Sequence, residues 1–247
     1  MPESFVLTRL LIKLFGGLLA AGIHAAGIPA EKASAQATAV LSAFSVELLV
    51  AAGLIAFFVL VRVSLSVEKP GPVQHIAEML HEIIGEQAEQ VIGHGYERFQ
   101  AYVTCIFLFV LICNLTGLIP GVTAPTTLIM VTLGIATPTF FYYNYQGLRE
   151  QGLVGYLKHL AGPIWWMSWL IFPIETISHL ARILSLSVRL YANMFAGDML
   201  TLVAFSALPF AFPVTTMALH IFVSLIQAFV FMLLTMIYLS LAVSHEH

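Results

Sequence analysis

The stretch Ile174-Glu175-Thr176-Ile177-Ser178-His179-Leu180-Ala181-Arg182-Ile183-Leu184-Ser185-Leu186-Ser187-Val188-Arg189-Leu190-Tyr191-Ala192-Asn193-Met194-Phe195-Ala196-Gly197-Asp198-Met199-Leu200 decides how this chain is read. It is apolar at helical spacing and free of proline between Pro173 and Pro209, which predicts one long helix. Within it lie two arginines, two acids, a histidine and an asparagine. An ionisable group at the centre of a membrane helix costs about 2.5–3.5 kcal/mol at least, so each one is a functional hypothesis. At about 100° per residue, Glu175, Arg182, Arg189 and Ala196 fall seven apart on one slowly drifting stripe, with His179, Ser185 and Asn193 on its flanks. Asp198 lies nine residues past Arg189 and points toward a different neighbour. A fixed cation with acids above and below it, facing separate spaces, is the layout of an ion pathway with a barrier in its middle.

Composition agrees with a membrane setting. Hydrophobic residues make up 60% of the 247 and charged ones 9%, and the mean hydropathy of +0.94 excludes an ordinary soluble domain. The expected class is an all-α polytopic membrane protein. A formal charge of −3 gives no reason to expect nucleic acid. Cys105 and Cys113 are too few for a metal cluster and are read as two buried small apolar groups.

In chain order, residues 1–42 carry Arg9 and Lys13 before the apolar run 14–28, then an Ala/Ser-rich stretch. This resembles a secretory signal layout, and an uncleaved anchor or interfacial helix is expected. Spans follow at Phe44–Val63, Tyr102–Ile119 and Thr126–Gln146, the last interrupted by Pro138, since about 20 apolar residues cross the hydrocarbon core. Glu47 and Arg62 are placed at the two ends of the first, within reach of headgroups. Val73–Phe99 is amphipathic, with Ile76, Met79, Leu80, Ile83 and Ile84 opposed to Glu78, Glu82, Glu86 and Glu89, and is read as a surface helix. Its His81-Glu82-Ile83-Ile84-Gly85 misses the second histidine of a zinc-protease motif, so a membrane metalloenzyme is disfavoured and no cofactor is expected. Arg149, Glu150 and Lys158 mark a charged loop; Pro163, Trp165, Trp166 and Trp169 suggest an interfacial re-entry. The chain ends in two helices, Phe172–Leu208 and Val214–Val243, joined through Pro209 and Pro213. Both exceed a perpendicular crossing, so a long tilted hairpin is expected. Basic residues gather in the first and third loops, which places those loops and the C-terminus in the cytoplasm.

The motif Arg182-x-x-Ser185-Leu186-x-x-Arg189-Leu190-x-x-Asn193, then Ala196-Gly197-Asp198, resembles the signature helix of subunit a of F-type ATP synthase. A second run, His220-x-x-x-Ser224-x-x-Gln227-Ala228-Phe229-x-Phe231-x-x-Leu234-Thr235-x-x-Tyr238, matches in order, as does Asn114-Leu115-x-Gly117-Leu118-Ile119-Pro120. The resemblance covers residues 43–247; 1–42 match nothing in it. Ile183 stands where many relatives have proline and Ala192 where many have glycine, which bears on helix bending there.

The resemblance implies an ion-translocating stator with two offset half-channels and no catalysis of its own. Arg189 is the essential charge. A guanidinium stays protonated, so a rotor carboxylic acid brought beside it is driven toward its ionised form. Asp198 and His220, with Asn193, Asn114 and Gln227, line the periplasmic side, and Gln227 is expected to orient Arg189. Glu175, His179 and Ser178 line the cytoplasmic side. Arg182 either snorkels or shapes the rotor contact, and Tyr238 orders water. Implied partners are the c-ring, the b-subunit peripheral stalk, the F1 sector indirectly, membrane lipid and H⁺ or Na⁺, in a bacterial inner membrane. The chain lacks a Gly-x-x-x-x-Gly-Lys-Ser/Thr loop, so nucleotide chemistry belongs elsewhere. The alternative is a self-contained secondary transporter, though the paired broken helices of such folds are not evident.

Overall fold

The computed structural model describes residues 6–25, 29–66, 71–119, 122, 124–161, 168–207 and 211–243. Among them are seven α-helices: α1 Val6–Ala25, α2 Ala30–Ser64, α3 Pro72–Ile92, α4 Glu97–Leu115, α5 Ile129–Ala161, α6 Ser168–Ala207 and α7 Ala211–Val243. No strand occurs among the described residues. Five helices are long and apolar enough to cross a membrane: Val6–Ala25, Ala30–Ser64, Glu97–Leu118, Ile171–Ala204 and Val214–Val243. The chain is therefore an all-α, multi-pass membrane protein with five such helices, as composition led us to expect.

The membership of the five differs from the sequence reading. The Ala-rich stretch before Phe44 is helical from Ala30, making α2 35 residues long; alanine is the strongest helix former, and nothing there breaks the run. Glu47 consequently lies near the middle of α2. Val6–Ala25 qualifies as a span, whereas the helix over the third expected span, α5, does not reach the same apolarity. Its tyrosines, threonines, Asn144 and Gln146 dilute it. Helix α5 also runs through Arg149 and Glu150, where a loop was expected, and breaks only at Gly152, whose φ of 69° and ψ of 165° are non-helical. Of the Trp cluster, Pro163, Trp165 and Trp166 lie outside the described residues, as does Pro209; Trp169 is exposed in the first turn of α6. Pro213 falls within the first turn of α7, where a missing N–H is tolerated.

The chain divides into two compact units. One comprises Met1–Leu60, Leu108–Thr132 and Leu190–Gln227; the other comprises Val61–Phe107, Leu133–Arg189 and Ala228–His247. In the first, α1 lies on α2 with Gly16 against Leu41, and Ala33, Ala37 and Leu41 are buried. Close helix approach through small residues is the usual packing device in lipid.

The second unit is built around Ile84, Ala88, Phe99, Val103, Tyr143, Met232, Met236 and Leu239. Gly93 and Gly95, at φ of 80° and 87°, turn the chain sharply between α3 and α4. Gln100 is buried and donates to the His81 carbonyl at 2.6 Å, pinning α3 to α4. Arg98 pairs with Glu150, tying the start of α4 to the charged part of α5. The apolar stripe of α3 thus splits: Ile84 enters the core, while Ile76, Met79 and Ile83 stay exposed, as a helix resting on a bilayer requires. Of the two cysteines, Cys113 is buried, but Cys105 is exposed. Helical phase explains the second: eight residues is a little over two turns, so the two thiols point about 80° apart.

Candidate functional site

Helices α6 and α7 run antiparallel. In the first unit Asp198 faces His220 and Asn193 faces Gln227, so numbers rising on one helix fall by nearly as much on the other. In the second unit Arg182 faces Tyr238 in the same sense.

The first unit holds the carboxylate–imidazole pair. His220 Nδ1 is 3.9 Å from Asp198 Oδ1, with the imidazole almost wholly buried and the carboxylate about one quarter exposed. That separation is an electrostatic contact, longer than a direct hydrogen bond. Gly197 makes room for it, because a Cβ there would lie 3.1 Å from His220 Nδ1. Beside the pair opens a cavity of about 210 Å³ lined by Asn193, Gly197, Leu200, Thr216 and His220, among others, large enough for several waters. His220 Nε2 is buried with no hydrogen-bond partner among the described residues. A buried orphan nitrogen calls for a ligand or water. Asn193 donates from Nδ2 to Gln227 Oε1 at 2.6 Å, while Gln227 Nε2 is also unpartnered. Asn193 thus holds the side-chain carbonyl of Gln227. Asn114, fully buried on α4, has both side-chain polar atoms unpartnered, so it makes no interhelical hydrogen bond among the described residues.

This geometry carries a prediction. Gly197→Ala should push the His220 ring a few tenths of an ångström, because a Cβ there would lie 3.1 Å from Nδ1, while leaving the helix at least as stable. A structure of the variant together with its thermal melting checks it; an unmoved ring contradicts it.

The second unit gathers the other polar groups. His179 Nε2 is 3.5 Å from Glu175 Oε1, an (i, i+4) pair. Arg182 reaches the same oxygen at 3.5 Å and lies 5.5 Å over the Tyr238 ring, within cation–π range. Arg182 thus lies within ion-pair range of Glu175. Sequence reasoning missed Tyr143, 2% exposed, whose hydroxyl is 3.2 Å from His179 Nδ1. Its only signal was membership of the cluster Tyr142, Tyr143 and Tyr145 in a moderately apolar helix, which singles out no residue. Ser178 is half-buried. A cavity of about 10 Å³ lies among Thr139, Tyr143, Arg182, Leu186 and Tyr238, at the lower limit for one water.

Arg189 stands apart from Glu175, His179 and Arg182, the paired groups on the same helix. It is exposed, and no ion pair or side-chain hydrogen bond involves it among the described residues. Ser185, Ala192 and Ala196, which share its face by helical spacing, are exposed too. Glu47, mid-way along α2, is half-buried within electrostatic reach of Cys113.

A multi-pass helical membrane protein with titratable groups paired across its terminal hairpin and one bare guanidinium on it is an ion-transport protein. Comparison with known sequences sharpens this. Residues 43–240 match the family described as ATP synthase A chain. The chain is similar to "ATP synthase subunit a" of Koribacter versatilis, 47% identical over 247 residues and covering all of both chains. It is also similar to that subunit of Solibacter usitatus, 47% identical over 82% of this chain and 87% of the relative. The subunit of Sulfurimonas denitrificans is 38% identical over 82% and 91%. The chain belongs to the ATP synthase A chain family and is a membrane subunit of an ATP synthase, part of its ion-transporting membrane sector.

Proposed function

We propose that this subunit is the non-catalytic stator of the motor, carrying ions through two offset half-channels that meet only by way of carboxylates on a rotating c-ring. The observation that carries the reading is Arg189: a permanent charge, exposed, unpaired among the described residues and flanked by the small residues Ser185, Ala192 and Ala196. Small residues permit close helix approach in lipid, so a rotor acid can come near the guanidinium. Next to it the acid is ionised. Moving away on either side, it takes up an ion from the half-channel there.

Asp198 and His220 serve the periplasmic side, where the cavity and the orphan Nε2 favour a hydrated route; Asn193, Asn114 and Gln227 supply further polar lining. Glu175, His179 and Ser178 serve the cytoplasmic side, with Arg182 and Tyr238 holding Glu175 in place. Arg189 repels free cations, so the two routes do not join within the stator. Each elementary charge moved is worth about 2.3 kcal/mol per 100 mV, so rotation must pool several ions for one ATP. The partners are the c-ring, the b-subunit stalk and, through them, the F1 sector, in a bacterial inner membrane. The proton is the proposed ion, since an imidazole is suited to carry one near neutral pH.

Purification from membranes tests this. The chain should copurify with a ring of small helical-hairpin subunits and conduct ions coupled to ATP only in their company. Solute-coupled transport by the chain alone in liposomes favours a secondary transporter instead.

A further inference from the structure

Tyr143 has no place in the pathway as described so far, yet its hydroxyl is the group across the helix interface that meets His179. Among the described residues, the titratable and charged groups facing that imidazole include Glu175 and Arg182 from its own helix α6 and Tyr143 from α5; Tyr238 of α7 stands behind, 5.8 Å from the Tyr143 ring centroid and beneath Arg182. The imidazole and phenol rings lie nearly parallel, 23° apart with centroids at 6.0 Å.

A neutral imidazole has one nitrogen that donates and one that accepts, and the partner of one fixes the role of the other. Glu175, held by Arg182, offers only acceptor oxygens while ionised, so the nitrogen facing it at 3.5 Å, Nε2, carries the hydrogen. Nδ1 is then an acceptor, and the Tyr143 O–H at 3.2 Å is its donor. The cavity that Tyr143 lines with Thr139, Arg182 and Tyr238, about 10 Å³, leaves scant room for water to take over that bond.

We infer that Tyr143 is a positioning residue of the cytoplasmic half-channel: its hydroxyl holds Nδ1 of His179 and so directs the Nε2 hydrogen at Glu175. When His179 takes up a second proton on Nδ1, the Tyr143 hydroxyl turns from donor to acceptor, and the same contact reports the change of state. This rests on the reading of Glu175 and His179 as a proton route, and the test separates the two.

Vesicles carrying the whole complex are assayed for ATP synthesis while pH on the cytoplasmic side is varied and the opposite side is held constant. Tyr143→Phe keeps the buried ring and removes the hydroxyl. The expected result is a pH profile displaced by about half a unit to one unit, the weight of one neutral hydrogen bond, with the displacement absent when His179→Ala is already in place. A wild-type profile in Tyr143→Phe, with an altered one in His179→Ala, overturns the positioning role and spares the pathway. A wild-type profile in His179→Ala removes the cytoplasmic route itself and the role of Tyr143 with it. Should Tyr143→Phe assemble poorly, His179→Gln decides: its amide can accept from Tyr143 and donate to Glu175 but cannot titrate. Retained synthesis with a flattened profile supports the arrangement, and a wild-type profile overturns it.

Discussion

Arg189→Ala is expected to abolish ion-driven ATP synthesis while the complex still assembles. Assembly should survive because the side chain is exposed and holds no partner among the described residues, so its removal leaves neither a buried cavity nor an orphaned charge. Synthesis should fail on electrostatic grounds. Two unit charges about 4 Å apart near a protein surface attract by about 4 kcal/mol, which is almost three decades in the acid's readiness to release its ion. Without that attraction the rotor acid stays loaded as it passes, and the rate should fall below about one hundredth of wild type. Lysine should not restore it fully: an ammonium can lose its charge when desolvated and lacks the planar fork. Synthesis per assembled complex, with membrane content measured on the same vesicles, is the readout.

Replacing Asp198 or His220 should have the next largest effect. His220→Ala removes a titrating group from the wall of the cavity in the first unit, and Asp198→Asn removes the carboxylate 3.9 Å from His220. A positioned proton carrier is typically worth 10²–10⁴-fold. A cavity of this size holds water that can carry part of the traffic, so a loss of roughly ten-fold is expected. The double variant should cost little more than the worse single one, because the two groups act as one unit. Membranes should stay tight in all three, since Arg189 is untouched. Wild-type rates in both single variants would remove the pair from the pathway.

Much of this was legible in the sequence because membrane burial makes polarity conspicuous. A charge within an apolar run is visible at once, and the seven-residue steps among Glu175, Arg182 and Arg189 or between His220 and Gln227 follow from helical geometry alone. Helix α3 was legible from its alternating charged and apolar faces. What escaped notice had weak local signals. Tyr143 looks like many other tyrosines until α5 is laid against α6. The partner of Gln227 depends on how α6 and α7 register, which periodicity does not give. The start of α2 escaped notice because hydropathy marks where a span begins, whereas alanine carries the helix a further fourteen residues upstream. The break at Gly152 fell later than the first charges suggested, since arginine and glutamate are good helix formers and only the glycine stops the run.

The central claim is that one fixed positive charge keeps two ion routes apart. Its most direct test is passive conductance: an ion gradient is imposed across vesicles bearing wild-type or Arg189→Ala complexes, without nucleotide, and its decay is followed. Faster decay in the variant, together with no ATP synthesis, is the predicted result. A gradient that persists as in wild type, with synthesis continuing at a comparable rate, would contradict it.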